Sequence, residues 1–82
     1  MEIKYIKDTI RDYVVKIKKT SNILEYSTLL TDIGIDSVKI IELVLYIESK
    51  FNIEFDPENL NYITLRSIDS ISEYVYKKLC EI

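Results

Sequence analysis

Leu29-Leu30-Thr31-Asp32-Ile33-Gly34-Ile35-Asp36-Ser37-Val38 is where this chain changes character. Before it, from residue 19, small polar side chains and isolated apolar ones follow no period. After it, from Ser37 to Phe51, no helix breaker occurs and helix formers are common. Asp36 stands at the junction with the short acceptor side chain that suits a helix N-cap. Ser37 is therefore expected where a loop becomes a helix, with its hydroxyl presented outward.

The helix that starts there has two apolar faces. At about 100° per residue, Ile40, Leu43, Val44, Ile47 and Phe51 form one core-facing stripe. Val38, Ile41 and Leu45 form a second, centred roughly 140° away on the same wheel. One helix of a small bundle cannot bury both faces in the same core. The second stripe either packs under the preceding loop, is scattered surface apolar residues, or is a docking surface for partner proteins. Glu42 and Glu48 flank it and would steer basic partners.

Upstream, Ile3, Ile6, Ile10, Tyr13, Val14 and Ile17 recur in steps of three and four, predicting an amphipathic helix over 2–18. Residues 19–36 read as a long loop with Ile23, Leu24, Leu29, Leu30 and Ile33 as anchors; loops of such length are often functional. Downstream, 52–55 reads as a connector. Asp56-Pro57-Glu58 signals a short helix running to about Asn61. Thr64 is the candidate cap of a last helix with Leu65, Ile68, Ile71, Val75 and Leu79 on its inner face. Lys77 and Lys78 suit the C-terminal end of its dipole. The fold class is thus all-α: a small four-helix bundle of three long helices and one short, with a long loop between helices 1 and 2, and residues 1–82 as a single domain.

Composition narrows the chemistry. A chain of 82 residues has room for one modest core, burying only about 60% of the surface its unfolded form exposes. With no His and one Cys, the common zinc sites and the Ser-His-Asp and Cys-His catalytic sets are excluded, so neither a metal site nor a catalytic residue is expected. Cys80 reads as a partly buried residue of the last helix. Residues 1–20 hold six basic and three acidic side chains, and 21–82 hold five basic and eleven acidic. The acidic part argues against nucleic acid, and the basic end alternates with acids as a solvated helix face does. No stretch reaches the ~20 apolar residues of a membrane span, and Met1-Glu2-Ile3-Lys4 lacks a signal core. A soluble, cytoplasmic monomer is expected.

The opening segment resembles the modification site of acyl and peptidyl carrier proteins, which show an apolar-Gly pair, any residue, then Asp-Ser-Leu at the start of the second helix. Ile33-Gly34 and Asp36-Ser37 match, and the likeness continues through Glu42-Leu43, Ile47-Glu48, Phe51, Ile53-Glu54-Phe55, Leu60, Ile63 and Thr64. The resemblance implies an acyl-carrier-protein-like bundle that is not an enzyme. It implies a 4'-phosphopantetheine arm, taken from coenzyme A, on Ser37. It also implies recognition of Asp36 and Val38 by a phosphopantetheinyl transferase, and a groove near Leu60 and Ile63 that shields an acyl chain; both residues also fit plain core positions. The implied partners are that transferase, an acyl- or aminoacyl-loading enzyme, and a downstream synthase, transferase or thioesterase. Ile68-Asp69-Ser70-Ile71 is a near twin of Ile35-Asp36-Ser37-Val38, but it lacks the Gly and the loop and falls within the last helix pattern. Ser70 is read as a solvated helix residue.

Two departures bear on the pathway. Val38 replaces the usual Leu. Lys39 stands where fatty-acid-synthesis carriers usually have an acid, and from Asp36 to Lys50 three acids face two lysines. Lys39 resembles the residue of many peptidyl carriers. The reading is a free-standing carrier of a specialised pathway (nonribosomal peptide, polyketide or amino-acid loading). A fatty acid synthesis carrier is the closest alternative. A helical interaction module without the arm is the alternative of another class.

Overall fold

The computed structural model describes residues 2–18 and 25–81. Four α-helices follow in order: α1 (Ile3–Lys18), α2 (Ser37–Phe51), α3 (Tyr62–Leu65) and α4 (Ile68–Cys80). Two 3-10 turns, Leu30–Ile33 and Pro57–Asn59, sit in the connections. Three helices are long and one is short, as expected. None of them is long and apolar enough to cross a membrane.

The periodicities carry over into packing. Ile6, Ile10 and Val14 of α1, Leu43, Val44, Ile47 and Phe51 of α2, and Ile68, Ile71 and Val75 of α4 form one buried cluster. Full burial of such a side chain is worth about 1.5–3 kcal/mol. Tyr13 stacks on Tyr46 at 3.9 Å between ring centroids, and Tyr5 meets the Phe51 ring edge-on, locking α1 against α2. The connector after α2 contributes more than a link: Ile53 and Phe55 are buried. Asn52 takes a left-handed conformation (φ 55°) that closes α2 and turns the chain back.

The loop before α2 is anchored rather than loose over its described part. Leu30 is buried, its N–H donates to the Arg66 carbonyl at 2.8 Å, and Leu29 makes an antiparallel bridge with Ser67. The Asp69 N–H donates to the Tyr26 carbonyl at 2.9 Å. The Tyr26 hydroxyl donates to the Asp8 carboxylate, tying the loop to α1. The expected anchors Ile23 and Leu24, with the polar residues 20–22, lie outside the described residues.

Four local expectations are corrected. The short helix does not open at Asp56. Pro57–Asn59 forms only a 3-10 turn, because the Asp56 carboxylate is taken by the Tyr74 hydroxyl and Lys78 instead of capping. Thr64 does not cap the last helix. Its N–H donates to the Asn61 side chain, so it lies inside the separate α3 with Leu65. The cap of α4 is Ser67, in a capping box with Ser70: each side-chain oxygen accepts the other residue's N–H, at 3.2 and 3.1 Å. Ser70 is thus a first-turn residue with an occupied hydroxyl, not a solvated helix-interior one. Cys80 is exposed rather than partly buried, since it falls in the last turn of α4.

Ser67→Ala removes the α4 cap and should cost about 1–2 kcal/mol. Ser72→Ala should be neutral or stabilising by up to about 1 kcal/mol, because the fully buried Ser72 hydroxyl has no partner among the described residues. Urea unfolding of both variants tests the pair; a destabilised Ser72→Ala would contradict the second. Acid unfolding tests the other contact. The Tyr26 hydroxyl, with Lys4 second, holds the Asp8 carboxyl below its ordinary value. Its stabilisation is therefore complete above the ordinary carboxylate pKa of about 4 and lost as pH falls through the lower folded value. Tyr26→Phe should flatten the acid limb of stability against pH, measured by urea titration from neutral pH downward.

Candidate functional site

The site begins where backbone geometry stops the loop. Gly34 ends the Leu30–Ile33 turn in a left-handed conformation (φ 82°), which L side chains adopt only at a cost. Its N–H donates to the Thr31 carbonyl and the Ile35 N–H to that of Leu30. Ile35 then plugs into the core at 2% exposure. With Ile35 held down, Asp36 is extended and its carboxylate accepts the Lys39 N–H at 3.0 Å. That N–H, followed by the charge of Lys39 and, more weakly, of Lys18, holds the Asp36 carboxyl below the usual carboxylate range. Ser37 is the first residue of α2, exposed, and its hydroxyl has no hydrogen bond among the described residues. An exposed, unengaged hydroxyl is what a modifying enzyme needs as nucleophile.

From Ser37 an open cavity of about 620 Å³ runs between α2 and the α3 region. Ile40, Ile41, Val44 and Leu45 line it from α2, and Leu60, Tyr62 and Leu65 from the other side. Of the two residues expected near a groove, Leu60 lines this one. Ile63 does not: it is 71% exposed and faces a separate depression beside Ile3 and Tyr76. Neither is a core residue. Tyr62 and Leu65 stand where Ile63 was expected. Leu65 had been read as the inner face of the last helix, and only the break at Arg66 frees it for the groove.

The second stripe of α2 is an outer surface. Val38, Ile41 and Leu45 are 63%, 59% and 60% exposed, so neither the loop nor the core covers them. Tyr62 and Ile63 extend the exposed apolar area onto α3. Glu42 is exposed beside the stripe. Glu48 is turned inward, where its carboxylate accepts the Phe55 N–H at 2.8 Å and holds the connector.

Residues 8–75 match the family described as "Phosphopantetheine attachment site". The chain is also 34% identical over 59 residues to the acyl carrier protein of Thermotoga maritima, covering 72% of this chain and 70% of that protein. The residues present fit the arm: an exposed serine hydroxyl at a helix start, without a hydrogen bond among the described residues, beside an apolar groove. Proteins of this kind meet phosphopantetheinyl transferases and acyl-handling enzymes. The chain belongs to the acyl and peptidyl carrier protein family, non-catalytic proteins whose working group is a covalently attached 4'-phosphopantetheine.

Proposed function

We propose that Ser37 is the attachment site of the arm, on which the protein holds acyl or aminoacyl groups as thioesters. The carrying observation is the Ser37 hydroxyl, exposed and unengaged at the α2 start and opening onto an apolar groove. In the loading step the Ser37 oxygen bonds to the phosphorus that bears pantetheine in coenzyme A. The pyrophosphate P–O bond breaks, adenosine bisphosphate leaves, and the hydroxyl proton passes to a base of the transferase. The α2 N–H groups not claimed by Asp36 favour the phosphate. Asp36 keeps one carboxylate oxygen unbonded among the described residues, and it is the one proposed to meet the transferase's bound magnesium. Val38 supplies the adjoining apolar contact. The twin serine is a poor substrate because its hydroxyl donates to the Ser67 carbonyl at 2.9 Å inside the capping box, and Ile68 and Ile71 are buried.

Val38, Ile41 and Leu45, with Glu42, form the docking face for loading and downstream enzymes. Small exposed apolar contacts with a polar rim suit weak, reversible association. Glu48 contributes through the connector it holds. Leu60, Tyr62 and Leu65 shield the cargo, and Ile63 belongs to the outer contact surface. The pathway is a specialised one, nonribosomal peptide, polyketide or amino-acid loading, and the compartment the cytoplasm. Support comes from Lys39 and from the balance of three acids against two lysines from Asp36 to Lys50, which leaves α2 only weakly acidic towards a basic partner.

Incubation with coenzyme A, magnesium and a broad-specificity phosphopantetheinyl transferase should add one phosphopantetheine to wild type and Ser70→Ala and none to Ser37→Ala, read by intact mass. Gain on Ser37→Ala would overturn the site. Val38→Asp should lower the transferase's kcat/KM roughly tenfold, as loss of about 1.4 kcal/mol at a central contact would. Ile63→Asp should leave it nearly unchanged; equal losses in both would remove Val38 from the transferase contact.

A further inference from the structure

The arm would place a permanent negative charge on the residue next to an ionised carboxylate. A phosphodiester on Ser37 and the Asp36 carboxylate are consecutive along the chain, and the Lys39 N–H holds the Asp36 carboxyl below the usual carboxylate range. Two cations lie at this point. Lys18, the last residue of α1, reaches across the loop until its Nζ lies 2.9 Å from where a Gly34 Cβ would stand. A Cβ there would meet only the flexible end of the Lys18 side chain. Lys39, in the first turn of α2, gives its N–H to Asp36, and its charge acts on that carboxylate. Neither lysine forms an ion pair among the described residues, whereas Lys4, Lys7, Arg11 and Lys78 all do.

We propose that Lys18 and Lys39 are the counter-cations of the arm's root, offsetting repulsion between the Ser37 phosphodiester and the Asp36 carboxylate so that the modified protein keeps its α2 cap. This rests on Ser37 being the attachment site. In the modified form the end of α1 and the start of α2 are joined by charge as well as by the core.

The test compares unmodified and modified protein by thermal unfolding, with intact mass confirming one arm per chain. Wild type, Lys18→Met/Lys39→Met, Lys39→Met alone and Lys18→Arg/Lys39→Arg are each measured in both forms. In low salt the modified double Met variant should melt roughly 3–6 °C below its own unmodified form, beyond any gap in wild type, with the single variant between them. In about 1 M salt, where the screening length is about 3 Å, the extra gap should close. The Arg variant should behave as wild type. Because each protein is its own reference, general destabilisation cancels, and Lys39→Met, a change on the α2 surface, serves if the double variant does not fold. A modified Met variant with no larger gap than wild type, or a gap indifferent to salt, overturns the proposal. Failure of wild type to gain mass overturns the attachment reading, and this proposal with it, before any melting is done.

Discussion

The hydrogen bond from the Lys39 N–H to the Asp36 carboxylate decides where α2 begins, and most of the molecule depends on that register. A helix that started one residue earlier or later would be turned by about 100° relative to the loop that delivers it. Leu43, Val44 and Ile47 would leave the core, and Val38, Ile41 and Leu45 would leave the outer surface. The bond does not act alone. Gly34 reverses the chain in a left-handed turn, and Ile35 is driven into the core, so Asp36 arrives extended, as an N-cap must. Ser37 is presented outward as a consequence of these three residues rather than through any bond of its own.

α2 serves two purposes with one set of side chains. Its inner stripe supplies much of the core, while its outer stripe stays exposed although exposure of apolar surface contributes nothing to stability. Ile40 and Val44 of the inner stripe, with Ile41 and Leu45 of the outer, line the groove. A chain this small has little core to spare. It compensates by tying connections down with polar contacts: Leu30 to Arg66, Glu48 to Phe55, Asp56 to Tyr74 and Lys78, and Tyr26 to Asp8. Each fixes a segment that helix packing alone would leave unspecified, and the first of them places the loop before Ser37.

The groove exists because the chain between α2 and α4 is broken twice. Had Asp56 opened a helix, or had one helix run on from Thr64, Leu60, Tyr62 and Leu65 would not converge opposite α2. Asn61 and Ser67 prevent this by capping two separate helices, with Arg66 as the hinge between them.

Period and caps along the chain were enough to read α1, the full extent of α2, its two stripes and Ser37 as the exposed helix-start serine, because helix periodicity and N-capping act over three or four residues. Composition sufficed to exclude the common zinc sites and the Ser-His-Asp and Cys-His sets, since the needed side chains are missing. The α3–α4 boundary could not be read in this way. Asn61, Thr64 and Ser67 are all competent caps, and the choice among them rests on contacts distant in sequence: Leu29 bridging to Ser67, Asp69 bonding Tyr26, and Asp56 drawn away by Tyr74. For the same reason Leu65 rather than Ile63 lines the groove, Glu48 turns inward, and Lys18 comes to rest on Gly34. A side chain's neighbours along the helix are set by periodicity, whereas its neighbours across the fold are set by which segments pack together.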